Sequence, residues 1–196
     1  MATIDYFFAT ISPYAYLAGD RLEQVAAKHG AEIVYKPIDM MALYARTGGT
    51  PLAGRHVSRQ EYRLQDLRRQ AEAAGLKMNI KPKFFPVNAA PSAYAIIAAQ
   101  KAGGGDVGGL VQSVLRACWE EERDISDDAV LGDLLAANGF DRGLTFSGML
   151  TGAEVYGSNL EQAVLRGVFG SPFYLVGDER FWGQDRLGDL DRFLAG

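Results

Sequence analysis

The chain has 196 residues, 48% of them hydrophobic, and its 24 acidic and 20 basic side chains give a formal net charge of −4 at pH 7. This length supports one domain with a substantial buried core, or one domain with a large insertion. The slight acidic excess argues against a nucleic acid or an anionic membrane as partner, so we expect a small molecule or another protein.

Cysteine use and hydropathy predict where the protein works. Cys118 is the only cysteine, so the chain cannot form an internal disulfide, and we expect a cytoplasmic protein. Residues 1–20 lack the basic and apolar regions of a signal peptide. No apolar run approaches the ~18 residues of a membrane-spanning helix, so we expect no membrane partner.

A strand, a turn and a helix open the chain. The apolar, aromatic run at residues 4–9 is typical of a buried strand, and Ser12-Pro13 predicts a helix start with serine as the N-cap. Apolar residues at helical spacing continue as far as Gly30, which we expect to end this helix. Residues 31–38 predict a second strand and complete a βαβ unit.

The middle of the chain carries only helical patterns. Ser58 and Glu61 have the spacing of a capping box, which predicts a helix from residue 58 to about Ala74 with Gly75 as its stop. Further helices are predicted at residues 90–102, 107–122 and 127–138. Such a block cannot extend a sheet, so we expect a mostly helical insertion over residues 40–152.

Strand patterns return near the end of the chain. The predicted elements are a helix at 159–167, strands at 172–176 and 180–182, and a closing helix at 185–194. The order βαβ, helical block, αββα is that of a thioredoxin-like domain split by a helical insertion. We therefore predict an α/β fold in which residues 1–39 and 153–196 form the thioredoxin-like domain.

Ser12 is the leading candidate for a functional residue. A helix N-terminus has unpaired N–H groups and a dipole, and both favour an anion close to this serine. The alternative is that Ser12 only caps the helix. A cis peptide bond before Pro172 would turn the backbone of Ser171 toward Ser12, where a peptide-like ligand could pair with it.

Other motifs carry less weight. Residues 103–108 match the letters GxGxxG but follow an alanine-rich helix instead of a strand, which indicates a loop. No GxSxG motif is present, and His29 and His56 have no partners for a metal site. The stretch after residue 54 is locally basic, which fits either a salt-bridged helix face or carboxylate recognition. Its basic residues are Arg55, Arg59, Arg63, Arg68, Arg69, Lys77, Lys81 and Lys83.

Five segments resemble the 2-hydroxychromene-2-carboxylate isomerases, which are related to kappa-class glutathione transferases and DsbA-like oxidoreductases. The segments are FFATISPYAYL at 7–17, VYKP at 34–37, Trp119 with RDIS at 123–126, GVFGSP at 167–172 and FWGQDRL at 181–187. The resemblance runs nearly from end to end. It implies a thioredoxin fold with a helical insertion, glutathione as cofactor and usually a homodimer.

The resemblance also implies roles for single residues. Ser12 falls where the family's serine approaches the glutathione sulfur, in place of the cysteine of redox relatives, so dithiol–disulfide exchange is excluded. Ser171, before Pro172, falls where the backbone pairs with the cysteinyl part of glutathione. Asp185 and Arg186 match the residues that meet its γ-glutamyl end.

Three positions differ in residue type from the family pattern. Arg59 stands where relatives commonly carry a lysine that helps hold glutathione, so the charge is kept. Gly49 stands where relatives often have the asparagine of a TGN segment, which removes a side-chain ligand. Ser171 replaces the usual valine before the proline. These differences bear on substrate identity more than on glutathione binding.

The sequence thus predicts a glutathione-dependent isomerase of a carboxylated aromatic or unsaturated oxo-acid. The thiolate, stabilised by Ser12, would add reversibly to an enone-like carbon and let a double bond rotate. Lys36, Arg59 or another base of the insertion could receive the substrate carboxylate. Aromatic side chains that could line the acceptor pocket, or simply pack, are Tyr14, Tyr16, Phe84 and Phe85.

Two other functions fit the same cleft. A kappa-like transferase or peroxidase would consume glutathione, whereas an isomerase consumes none. A non-catalytic module would bind glutathione or a peptide without turnover.

Overall fold

The computed structural model describes residues 1–196 and centres on a four-stranded mixed sheet in the order β2-β1-β3-β4. The strands are β1 (Thr3–Phe8), β2 (Glu32–Pro37), β3 (Phe173–Val176) and β4 (Glu179–Trp182). β1 pairs in parallel with β2 and antiparallel with β3, and β3 pairs antiparallel with β4. The predicted α/β thioredoxin-like fold with a helical insertion is confirmed.

Alternating side chains of β1 build a core on each face of the sheet, as the two-residue period of a strand requires. Tyr6 stacks on Phe8 and Tyr174, with ring centroids 4.5 and 5.2 Å apart, in the larger core. Phe7 points the other way and packs with Phe173 in a smaller core. Both cores are buried, so β1 is held on both faces and provides a rigid base for the turn that leads to Ser12.

The helix predicted after Ser12 is in fact two helices. α1 (Pro13–Ala18) and α2 (Arg21–His29) are separated at Gly19, whose φ of 58° and ψ of −145° are not helical. The Gly19 N–H donates to the carbonyl of Tyr16 and closes α1. Glycine has no Cβ and adopts this conformation at little cost. The apolar periodicity continues across Gly19 and therefore does not reveal the break.

The segment between β2 and β3 contains helices and connecting loops but no strand, with a single 3₁₀ turn at Leu52–Gly54. Its helices are α3 (Met40–Thr47), α4 (Val57–Ala74), α5 (Ala90–Ala102), α6 (Val107–Trp119), α7 (Asp128–Ala137), α8 (Leu144–Ser147) and α9 (Met149–Leu165). The chain ends with a 3₁₀ turn at Gln184–Arg186 and α10 (Leu187–Ala195). None of these helices combines the length and the apolar character that crossing a membrane demands.

Two predicted helix starts are wrong. The capping box at Ser58 does not form, because His56 is the N-cap of α4 and its ring accepts the Ser58 N–H. The late helix begins at Met149 instead of residue 159. Gly152 lies inside this helix, where a Cβ would be 2.5 Å from the Cβ of Tyr94, so the glycine lets α9 pack closely on α5. The predicted domain boundary between residues 152 and 153 therefore falls inside α9.

A charge network ties the sheet to α9. The carboxylate of Asp5 accepts from Lys36, at 3.0 Å, and from Arg166, and Lys36 also donates to Gln162 at 2.7 Å. The side chains of Asp5 and Lys36 are only 18% and 13% exposed. Lys36 is therefore a structural cation.

Replacing Asp5 with asparagine should leave two cations without their shared anion. We expect Asp5→Asn to lower the free energy of unfolding by about 2 kcal/mol, less than the ~3–5 kcal/mol of a fully buried pair because these groups keep some exposure. Urea denaturation at neutral pH measures this. Asp191→Asn, at the exposed pair with Lys28, is the matched control and should cost clearly less. Equal losses would mean that the Asp5 network is an ordinary surface contact.

Candidate functional site

Ser12 caps α1 as predicted, with Pro13 in the first helical position. Its backbone is extended, at φ −78° and ψ 120°, and its Oγ accepts the N–H of Ala15 at 3.2 Å. The residue is 7% exposed. With only six residues, α1 has a small dipole, and proline contributes no N–H to its first turn. The chemistry of this helix start therefore rests on the Ser12 hydroxyl more than on the dipole.

The turn before β3 meets Ser12 directly. The Ser171–Pro172 bond is cis, and the Ser12 hydroxyl donates to the carbonyl oxygen of Ser171 at 3.2 Å. The Ser171 Oγ accepts the N–H of Ala9 at 2.9 Å, which ties the same turn to the end of β1. The Ser171 N–H, in a half-buried residue, donates to no group of the protein. One backbone donor is thus free beside the Ser12 hydroxyl.

The turn that carries Asp185 is fastened to the same place. The Gly183 N–H donates to the carbonyl of Pro172 at 3.0 Å, and the 3₁₀ turn that follows packs on α1. Gly183 has φ 109°, and a Cβ there would lie 2.5 Å from an oxygen of Asp185. Asp185 pairs with Arg186 at 3.3 Å, and both side chains are more than half exposed. This ion pair is therefore open to exchange with a charged ligand.

The side chain of Arg59 contacts none of the other predicted residues through a hydrogen bond or ion pair. It is exposed on the first turn of α4, a helix that packs on α1, and it makes no hydrogen bond or ion pair. Arg63 follows one turn later and is half-buried. In the sequence, Arg63 is one of several basic residues after residue 54, and no local pattern distinguishes it from the others.

Two of the predicted pocket aromatics have other roles. Tyr16 is 4% exposed and its hydroxyl donates to the carbonyl of Lys77, so it packs in the core. The Tyr14 hydroxyl donates to Asp66 at 3.2 Å, and burial raises the pKa of Tyr14 to about 12. Tyr14 is therefore neutral at physiological pH.

Cys118 cannot serve as a nucleophile. It is 3% exposed on α6, and burial raises the pKa of its thiol to about 12, so the thiolate is essentially absent at neutral pH. No group of three or more His, Cys, Asp or Glu side chains is placed to hold a metal ion.

Gly49 is required by its neighbour Tyr44. A Cβ at position 49 would lie 2.0 Å from Cδ1 of the Tyr44 ring, so no other residue fits while that ring stays in place. The Tyr44 hydroxyl lies 3.5 Å from a guanidinium nitrogen of Arg55. The ring of Tyr44 thus fills the space that a side chain at position 49 would occupy.

This packing predicts a strong coupling between the two positions. Gly49→Ala should lower the free energy of unfolding by at least about 1 kcal/mol, because the added methyl must displace a ring. The same change in a Tyr44→Ala background should cost much less, since the obstacle is gone. Chemical denaturation of the four proteins gives the coupling energy. Additive losses would show that the ring does not impose the glycine.

The chain is similar in sequence to known proteins. The profile of the DSBA-like thioredoxin domain matches residues 3–195. The chain belongs to the DSBA-like thioredoxin family. Within it, the chain is 31% identical over 195 residues to the 2-hydroxychromene-2-carboxylate isomerase of Sphingobium xenophagum, covering 98% of this chain and 97% of that protein. The predicted family resemblance is confirmed.

Two solved structures have the same fold as this chain. A 2-hydroxychromene-2-carboxylate isomerase superposes with a TM-score of 0.77 at 27% identity, covering 98% of this chain and 94% of that one. The cytosolic disulfide reductase DsbM of Pseudomonas aeruginosa, solved with GSH, superposes with a TM-score of 0.69 at 18% identity, covering 98% and 96%. The second likeness shows the shared fold alone.

Proposed function

We propose that this protein is a glutathione-dependent cis–trans isomerase of the 2-hydroxychromene-2-carboxylate isomerase type, acting on a carboxylated aromatic or unsaturated oxo-acid. The observation that carries the proposal is the contact between the Ser12 hydroxyl and the backbone of Ser171. It occurs in a chain that is similar over its full length to proteins of that name. We also propose a cytoplasmic location, as expected for a chain with a single cysteine.

The residues at this contact fit glutathione. A peptide unit pairs with backbone through one donor and one acceptor, and Ser171 offers an unused N–H next to its carbonyl. Asp185 and Arg186 would hold the ammonium and carboxylate of the γ-glutamyl end by exchanging their mutual ion pair. Arg59, which has no partner, would hold the glycyl carboxylate. DsbM, which has the same fold, was solved with GSH, and this supports the proposal.

The Ser12 hydroxyl must change partners to act. It has one proton, which now goes to the Ser171 carbonyl. A bound peptide unit that donates its own N–H to that carbonyl releases the proton of Ser12 for a sulfur atom. Because the Ala15 N–H still donates to its Oγ, the hydroxyl stays oriented while it changes acceptor. A hydrogen bond to a charged acceptor stabilises the thiolate by roughly 1.5–3 kcal/mol.

Ser12 is a hydrogen-bond donor and not a nucleophile. A serine nucleophile needs a neighbouring base, yet His29 is bonded to Asp191 and His56 caps α4. When bound, glutathione would supply a thiolate that adds reversibly to an electrophilic carbon and so makes a double bond rotatable. The substrate of the named relatives is a cyclic hemiketal acid, whose open form is an aromatic 2-oxo acid with a conjugated double bond.

Replacing Ser12 with alanine tests the proposal. Ser12→Ala should lower kcat/KM for 2-hydroxychromene-2-carboxylate about 10- to 100-fold, because one charge-assisted hydrogen bond is lost, while glutathione binding changes little. Absorbance of the conjugated open form follows turnover, and calorimetry follows binding. Ser58→Ala, at an exposed serine of α4, is the matched control and should keep full activity.

The outcomes separate the competing functions. Full activity of the alanine variant would remove Ser12 from the mechanism. Stoichiometric loss of free glutathione would indicate a transferase or peroxidase. Glutathione binding without turnover of any unsaturated oxo-acid, in either protein, would indicate a non-catalytic module.

We also propose that the protein forms a homodimer. Large apolar side chains are exposed around the start of α9, where Phe146, Met149 and Leu150 are 83%, 53% and 73% exposed. Such a cluster is typical of surfaces that are covered in an assembly. Light scattering should give twice the mass of the chain, and charged substitutions at Phe146 and Leu150 should give the single mass.

A further inference from the structure

Arg63 differs from every other basic residue of the chain. It is half-buried and makes neither an ion pair nor a hydrogen bond, whereas each other arginine or lysine is exposed, ion-paired or hydrogen-bonded. A guanidinium has five N–H donors and stays charged in proteins. Withdrawing it from water without a partner costs free energy that an arriving anion would recover.

The carboxylate with the right helical spacing to pair with Arg63 is already engaged. Asp66 stands three residues after Arg63, a spacing at which helix ion pairs form, but it accepts from Tyr14 at 3.2 Å and pairs with Arg69 at 3.8 Å. Burial is the main cause that lowers the pKa of Arg63, while the smaller effects of Tyr14 and Arg55 oppose each other. The surroundings therefore disfavour the cation and supply no anion.

Two aromatic rings hold the guanidinium in place. Its central carbon lies 5.8 Å from the ring centroid of Phe85 and 6.0 Å from that of Trp119, and the two centroids are 4.9 Å apart. Trp119 is fully buried and Phe85 is half-buried. Stacking of this kind fixes an arginine while leaving its N–H groups free to bind a planar anion.

Arg63 also lies on the side of α4 that faces the start of α1. Leu67, one turn after Arg63, packs against Leu17 of α1. Asp66, three residues after Arg63, accepts from the Tyr14 hydroxyl. The other bases considered for the substrate are less suitable. Lys36 is committed to Asp5 and Gln162, and Arg59 is exposed with no aromatic support.

We propose that Arg63 is the specificity-determining residue that receives the carboxylate of the substrate, with Phe85 packing against the conjugated part of the same molecule. This deepens the proposed function and rests on it. The guanidinium matches the two coplanar oxygens of a 2-oxo acid with two parallel hydrogen bonds. The preferred ligands are thus planar, conjugated or aromatic acids with a single negative charge.

Binding of two probes tests this directly, without turnover. Salicylate carries a carboxylate on an aromatic ring, and salicylamide is its uncharged counterpart. Wild-type protein should bind salicylate at least about 10-fold more tightly, and Arg63→Gln should remove that preference. Arg63→Lys keeps the charge but loses the forked arrangement of N–H donors, so it should retain only part of the preference for salicylate. Calorimetry in the presence of glutathione gives the affinities.

Turnover provides the second measurement. Arg63→Gln should raise KM for 2-hydroxychromene-2-carboxylate about 10- to 100-fold with a smaller effect on kcat, and glutathione affinity should not change. Arg68→Gln, at an exposed arginine one turn further along α4, is the matched control and should behave as wild type. Thermal unfolding of each variant checks that it is folded, and the lysine variant stands in if the glutamine variant is not.

Two results would overturn the proposal. Equal affinity of wild-type protein for salicylate and salicylamide would show that the site does not select a carboxylate. Parallel loss of glutathione binding in the glutamine variant would assign Arg63 to the glutathione site instead. If wild-type protein turns over no oxo-acid, the proposed function fails, whereas the salicylate preference still decides the role of Arg63.

Discussion

The hydrogen bond from the Ser12 hydroxyl to the Ser171 carbonyl is the contact on which the rest of the site depends. At 3.2 Å it joins the start of α1 to the turn before β3, two segments separated by 159 residues of chain. Each end has further support, from the Ala15 N–H that binds the Ser12 Oγ and from the Ala9 N–H that binds the Ser171 Oγ. The buried strand β1 positions both segments, because the start of α1 and the turn before β3 are each anchored at the carboxyl end of β1.

This arrangement leaves the chemistry in a resting state. The hydroxyl is satisfied by the protein itself, while the neighbouring Ser171 N–H is not. A ligand that pairs with both backbone groups of Ser171 accepts the free Ser171 N–H. It also displaces the Ser12 hydroxyl from the Ser171 carbonyl, which is its present acceptor. Under the proposed function, binding of glutathione would release the Ser12 hydroxyl for the sulfur in the same step. The backbone of residue 171 would then matter more than its side chain.

Local signals identified the strands and the serine, but not the tertiary relations. The N-cap role of Ser12 and the stop at Gly75 follow from residue type at one position, so the sequence predicted them correctly. The sequence did not predict the helix break at Gly19, because the apolar pattern spans it. It also did not predict the start of α9 before residue 159, where Gly152 lies inside the helix and packs on Tyr94. Whether a glycine ends a helix or admits a neighbour is decided by what packs against it.

The same distinction applies to charges. Lys36 and Arg63 are both basic residues in the sequence, yet Lys36 pairs with Asp5 on the neighbouring strand and Arg63 has no acidic partner. Ion pairing between residues distant in sequence has no local pattern. Likewise, the glycine at position 49 is visible in the sequence, but the packing of the Tyr44 ring against it is a property of the folded chain alone.

The pKa of the thiol of bound glutathione tests the central claim most directly. Ultraviolet absorbance of the thiolate, followed against pH with saturating protein, gives this pKa for the wild type and for Ser12→Ala. The account predicts that the wild type lowers it by about 1–2 pH units relative to the alanine variant, as one charge-assisted hydrogen bond would. The same thiol pKa in both proteins would contradict the account.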